Sequence, residues 1–265
     1  MPSQKDPRPN ILVIVADDLG FTDPGCFGGE INTPNIDKLG NSGVRFSDFQ
    51  ASPACSPSRS MLMTGTSAHL AGLGTIPEFH QGKYQIPELK DQPGYLGHLS
   101  NNVVTIPELL RDAGYYNIMA GKWHLGSTKE HSPKARGFEK SFTMLLGGGN
   151  HHGWQPELMP EDYPFAALLR GGVTGMYLDE NEWVDELPSD YFSSDYFTTR
   201  LLTYLEEKPA EKPFFAYLPF QAPHFPLQAP REYIDRYKGR YDEGPERVRE
   251  QRIERLRDLG FILET

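Results

Sequence analysis

Three apolar segments of this chain run straight into chemically capable polar residues, and that arrangement constrains the fold more than any other feature. Ile11 to Val15 is an unbroken apolar run that ends in Asp17-Asp18, Tyr115 to Ala120 leads to Lys122 and His124, and Phe214 to Leu218 leads through Pro219 to His224. A short continuous apolar run predicts a strand, and that of Ile11 to Val15 predicts one buried on both faces. Between them, Thr105 to Gly114 carries a capping threonine, an early proline and a terminal glycine, and Asp195 to Glu207 places Phe197, Leu201, Leu202 and Leu205 at helical spacing. Both segments are expected to be helices. Thr33 to Leu39 reads as a further short helix, and Val44 to Phe49 alternates like a strand. Strands separated by helices predict an α/β fold. In open α/β sheets, ligands bind beyond the carboxyl ends of the strands, so Asp17, Asp18, Lys122, His124 and His224 are expected on one rim.

Composition narrows the classes. The chain has 265 residues, 38% hydrophobic and 23% charged, enough for one large core or two modest ones. A net charge of −10 argues against a nucleic-acid partner, and Arg231 to Asp258, which interleaves both signs, reads as a solvated helical face. No apolar run approaches the length of a membrane span. Residues 1 to 8 are polar and lack the apolar region of a secretory leader, so a cytoplasmic location is expected. Two cysteines, Cys26 and Cys55, make no disulfide framework, and Cys26 is expected to be a small buried hydrophobe.

Cys55-Ser56-Pro57-Ser58-Arg59 places a cysteine where a loop turns into a helix. Pro57 suits the first helical position, Ser56 can cap the exposed amides, and Arg59 at i+4 can share a face with Cys55 and offer a planar fork to an oxyanion. A lone cysteine is otherwise more often a buried hydrophobe than a nucleophile. Adjacent aspartates likewise serve more often as caps or turns; at the end of a buried strand they repel each other unless a cation or hydrogen-bond donors neutralise them. Lys122 and His124, two apart beyond a strand, can point to one side, or be a surface lysine and a packed histidine.

Cys-x-Pro-x-Arg followed by Ser60-Met61-Leu62-Met63-Thr64-Gly65 resembles the signature of type I sulfatases. Pro9 to Gly20, Gly121-Lys122-Trp123-His124-Leu125-Gly126 and Ala222-Pro223-His224 resemble further motifs of that family in the same order, and the whole is similar to the soluble bacterial-type arylsulfatases. The resemblance implies an alkaline-phosphatase-like fold with a mixed, largely parallel sheet flanked by helices. It implies that a formylglycine-generating enzyme oxidises Cys55 to an aldehyde whose hydrate carries two hydroxyls on one carbon. One attacks the sulfur of a small sulfate ester; the other loses its proton so that the adduct collapses and expels sulfate. Asp17, Asp18 and the oxygen of residue 55 are implied as ligands of a divalent metal, calcium, with magnesium as the alternative. Arg59 would hold the hydrated aldehyde, Lys122 would bind sulfate oxygens, His124 would take the hydroxyl proton, and His224 would protonate the leaving oxygen.

The family completes its metal site with a later Asp-Asn pair, and this chain contains no such dipeptide. Residues 1 to 265 are therefore expected to be the N-terminal part of a sulfatase catalytic domain, incomplete at the C-terminus. A phosphonate monoester or phosphodiester hydrolase on the same scaffold and a catalytically inactive sulfatase-like fragment are the alternatives. Among the remaining residues, His151-His152 and the Gly147 to Tyr163 loop are candidates for the substrate mouth, and Trp154, Tyr163 and Phe165 for an apolar wall beside it. His69, His80, His98 and His131 carry the default surface or packing reading.

Overall fold

The computed structural model describes residues 8–80, 86–153 and 177–262. In chain order its main elements are β1 (Ile11–Asp17), α1 (Pro34–Ser42), α2 (Cys55–Thr64), α3 (Ile106–Asp112), β2 (Tyr116–Lys122), β3 (Lys140–Met144), β4 (Tyr177–Asp179), β5 (Glu182–Trp183), α4 (Ser193–Glu207), β6 (Phe214–Pro223), α5 (Arg231–Asp235) and α6 (Pro245–Asp258). The chain divides into two compact units: Met1–Asp17 with Ser52–Gln228, and Asp18–Ala51 with Ala229–Thr265.

The first unit holds the sheet, in the order β1-β6-β2-β3-β4-β5. β1, β6, β2 and β3 run parallel, and β4 and β5 close the far edge antiparallel. The pleat sends alternate side chains to two cores. Met119, Phe215 and Tyr217 face one that also contains Met63 of α2 and Trp123, while Ile118, Ala120, Ala216 and Leu218 face another built with Phe197, Leu201 and Tyr204 of α4. Helix α3 starts as its sequence predicts: Thr105 and Glu108 form a reciprocal capping box. Gly121 is required where it stands, because its φ of 141° is rarely open to other residues and a Cβ there would lie 2.1 Å from the carbonyl oxygen of Pro219 on β6.

Two expectations are corrected. β1 is an edge strand rather than a doubly buried one: Ile11, Val13 and Val15 pack against the core, whereas Leu12 and Ile14 are 52% and 50% exposed. α4 covers the β2–β6 part of that face, and hydrophobicity alone cannot show where such cover ends. Val44 to Phe49 forms no strand and pairs with none among the described residues; its Val44, Phe46 and Phe49 side chains are exposed. Alternation makes a strand only where a neighbour accepts its hydrogen bonds.

The described residues of the second unit form no strand, and side chains hold it together. Arg252 of α6 donates from Nε to Glu30 Oε2 at 2.7 Å, from Nη2 to Glu30 Oε1 at 2.8 Å and from Nη1 to Asp23 Oδ1 at 2.6 Å. Phe21, Phe27 and Phe261 cluster with one another, and Cys26 is buried as expected. Most of α5 and α6 is solvated, in line with its mixed charges.

Candidate active site

Parallel pairing of β1, β6 and β2 brings their carboxyl ends to one edge, and Asp17, the last residue of β1, is in register with Pro223, just before His224. β2 ends at Lys122, and the chain then turns through His124, which adopts a φ of 55°. Cys55 is the first residue of α2, with Ala54 as the N-cap.

Pro57 therefore lies two positions later in the helix than its sequence suggests, still among the amides that lack a helical partner, so its missing N–H costs nothing. Ser56 does not cap the helix. Its hydroxyl donates to the carbonyl of His124 at 2.7 Å, and Arg59 Nη1 donates to the carbonyl of Lys122 at 2.7 Å. These two bonds fix the start of α2 against the end of β2.

The centre is a buried carboxylate between two buried cations. Lys122 is bonded to Asp17 Oδ2, and Arg59 Nη2 stands 3.4 Å from the same oxygen. Burial opposes ionisation of Asp17, but the Arg59 guanidinium and the Lys122 ammonium outweigh it and hold the carboxyl below its usual range. Burial also raises the Cys55 thiol, against the pull of Lys122. Asp17, Cys55 and His224 present ligand atoms that all lie within 4.8 Å of one another. His224 Nδ1 lies 2.7 Å from the carbonyl of Phe225; a carbonyl only accepts, so this nitrogen carries a proton and exchange with a substrate falls to Nε2.

The structure thus brings Asp17, Cys55, Arg59, Lys122 and His224 together as the sequence predicts, with His124 on the adjoining turn. Asp18 follows Asp17 directly with a φ of 66° and belongs to the second unit. His151 is buried, with Nε2 3.1 Å from the carbonyl of His224 and Nδ1 2.7 Å from the hydroxyl of Ser193, so it braces the His224 loop. Trp154, Tyr163 and Phe165 lie outside the described residues. Sequence reasoning missed Glu78, whose carboxylate contacts His124, and Gln221, which reaches the carbonyl of Gly149. Neither belongs to a periodic pattern or a recognised spacing, so only the folded chain reveals them.

Residues 9–262 match the Sulfatase family profile. The chain belongs to the sulfatase family. It is 45% identical over 97% of its length to an uncharacterised sulfatase of Schizosaccharomyces pombe, of which it covers 45%, and 40% identical over 96% of its length to an arylsulfatase of Klebsiella aerogenes, of which it covers 51%. It thus spans about half the length of these curated relatives. Among solved structures it resembles Ps i-CgsB in complex with k-i-k-neocarrahexaose, with a TM-score of 0.70 and 28% identity over 97% of this chain and 54% of that one. The alkaline-phosphatase-like α/β fold follows, and the family implies a formylglycine and a divalent metal in general. No helix among the described residues is long and apolar enough to cross a membrane.

The donor set can be tested against such a metal. A soft thiol is a poor partner for a hard cation, whereas hydroxyl oxygens at the same position, beside the ionised Asp17 carboxylate, suit one. On the family's chemistry the Cys55 sulfur would stand in for those oxygens. On that chemistry the residues fit one wall of an oxygen-ligated site.

Proposed function

We propose that this sulfatase-family chain hydrolyses small sulfate monoesters, with residue 55 converted from cysteine to formylglycine. One observation carries the reading: three segments distant in sequence converge Asp17, Cys55 and His224 within 4.8 Å, beside two buried cations, Arg59 and Lys122. Two buried cations beside the Asp17 carboxylate suit the single negative charge of a sulfate monoester. The modification supplies paired hydroxyls on one carbon, and a divalent cation, calcium in this reading, supplies charge stabilisation. Asp17 and residue 55 would hold the cation, and Asp18 joins the set on the family resemblance.

Each remaining side chain has a role that its environment suits. Lys122, fully buried and bonded to Asp17, offers its remaining protons to sulfate oxygens. Arg59, immobilised by the Lys122 carbonyl, holds residue 55 through the Nη2 that has no hydrogen-bond partner. His124 accepts the hydroxyl proton that must leave before sulfate is expelled. His224 delivers a proton from Nε2 to the departing alcohol or phenol, its ring oriented by the Phe225 carbonyl and its backbone braced by His151.

The similarity to the Klebsiella arylsulfatase makes an activated aryl sulfate the probe of choice. The chain is coexpressed with a formylglycine-generating enzyme, conversion of Cys55 is verified by peptide mass spectrometry, and sulfate release is measured with and without calcium. Calcium-dependent turnover that is absent in Cys55→Ala is expected. Verified aldehyde at residue 55 with no sulfate release would defeat the proposal.

A further inference from the structure

His124 has two ring nitrogens, and the structure partners only one of them. Nε2 lies 3.0 Å from Oε2 and 3.1 Å from Oε1 of Glu78, while Nδ1 is buried with no hydrogen-bond partner. The ring is enclosed, with only 3% of the residue exposed. An ionised carboxylate can only accept hydrogen bonds, so the nitrogen facing it must carry the proton. In a neutral imidazole the other nitrogen is then a lone pair.

Both partners favour that state. Burial draws the His124 imidazole toward its neutral form, against the pull of Glu78. Burial works against charge on Glu78 too, yet its bond to His124 holds its pKa down at about 2, so it is a carboxylate throughout any working range. Gly147 lies flush against the pair. A Cβ at that position would come within 2.5 Å of His124 Cε1 and within 2.8 Å of both His124 Nε2 and Glu78 Oε1.

We propose that Glu78 is a positioning residue, which locks His124 as the Nε2–H tautomer and so leaves Nδ1 as the nitrogen that takes a proton in the reaction. The inference rests on the base role given to His124 above. When the hydroxyl proton moves to Nδ1 the ring becomes an imidazolium, and the Glu78 carboxylate at Nε2 stabilises that charge until water removes the proton. With the opposite tautomer the only lone pair would face a carboxylate, and the ring could accept nothing.

The test reads the tautomer directly. In protein labelled with ring-¹⁵N histidine, with the His124 signals assigned by their loss in His124→Gln, the wild type should show a protonated Nε2 and an unprotonated Nδ1. Glu78→Gln keeps the shape but presents an amide that can donate as well as accept. It should yield a mixture of tautomers and lower kcat on an activated aryl sulfate on the order of 10- to 100-fold, with KM changed less than about twofold. Gly147→Ala, which crowds the pair and leaves both functional groups in place, should shift the same ring signals. A wild-type ring protonated at Nδ1 overturns the proposal even if the variants prove unstable. So does a Glu78→Gln protein whose His124 signals are unchanged, or one whose signals change while kcat does not. Wild-type protein with verified formylglycine but no turnover would count against the sulfatase reading alone, and the ring signals would then decide the role of Glu78 by themselves.

Discussion

Glu30 offers the clearest case in which a single ionisation holds part of this chain together. It receives two hydrogen bonds from Arg252 and a third, at 2.9 Å, from Tyr241. Those from Arg252 chiefly bring its pKa from 4.5 to about 2. At about 1.4 kcal/mol per unit, a shift of that size has a ceiling of about 3 kcal/mol. Arg252 retains 20% of its side-chain exposure, and screening by solvent reduces the expected value to about 2 kcal/mol. Because the folded pKa lies below the unfolded one, this stabilisation is complete above about pH 4.5 and drains away as pH falls toward 2. Glu30→Gln should therefore lower hydrogen-exchange protection of the α6 amides about 30-fold at pH 7, the equivalent of 2 kcal/mol, and much less at pH 3 after correction for intrinsic rates. An equal loss at both pH values would show that packing, not charge, is what the substitution removed. Unchanged protection at pH 7 would refute the argument altogether.

Three further outcomes follow from the site and the sheet. Coexpression with a formylglycine-generating enzyme should convert Cys55 and leave Cys26 a thiol, since only Cys55 has proline and arginine at the required offsets; peptide mass spectrometry reads this, and an aldehyde at Cys26 with Cys55 untouched would refute it. His224→Ala should reduce turnover of alkyl or poorly activated aryl sulfates more than that of activated aryl sulfates, because a good leaving group needs little protonation; equal losses across the series would remove His224 from the acid role. Gly121→Ala forces a Cβ to 2.1 Å from the Pro219 carbonyl at a left-handed φ and should cost on the order of 3 kcal/mol or prevent folding, measured by thermal unfolding against wild type.

The parts of the fold legible in the sequence were those where local chemistry and tertiary need agree. Thr105, Pro107 and Glu108 specify the start of α3 by themselves, and the structure supplies the reciprocal cap that they imply. Tyr116 to Lys122 and Phe214 to Leu218 lie in the middle of the sheet, between neighbours on both sides, so their largely apolar segments are covered on both faces. Ile11 to Val15 has the same composition at the sheet's edge, and its Leu12 and Ile14 stay half exposed. Val44 to Phe49 has an alternating pattern with no strand among the described residues to receive it. Pattern reports what a segment can do with a partner, and whether the partner exists is decided by the rest of the chain.

The site divides along the same line. Residues that act at the ends of strands or the start of a helix were readable because those positions have sequence signatures: Asp17 after β1, Lys122 and His124 after β2, His224 after β6, Cys55 and Arg59 on α2. Residues that act on those residues have none. Ser56 suggests a helix cap but ties α2 to the His124 carbonyl; His151 braces the His224 loop; Glu78 sits in a short Pro77–His80 turn with no periodic signal. All three bond to His124 or His224, to a backbone carbonyl in two cases and to a ring nitrogen in the third. The proposed chemistry at the sulfur rests on a handful of residues at predictable places, but the lone pair of the His124 ring is directed by Glu78, 46 positions away in sequence, and the backbones of His124 and His224 are tied by Ser56 and His151, 68 and 73 positions away. Substitution of Glu78 should therefore act on the orientation and protonation of His124 while leaving Cys55, the buried cations and Asp17 in place.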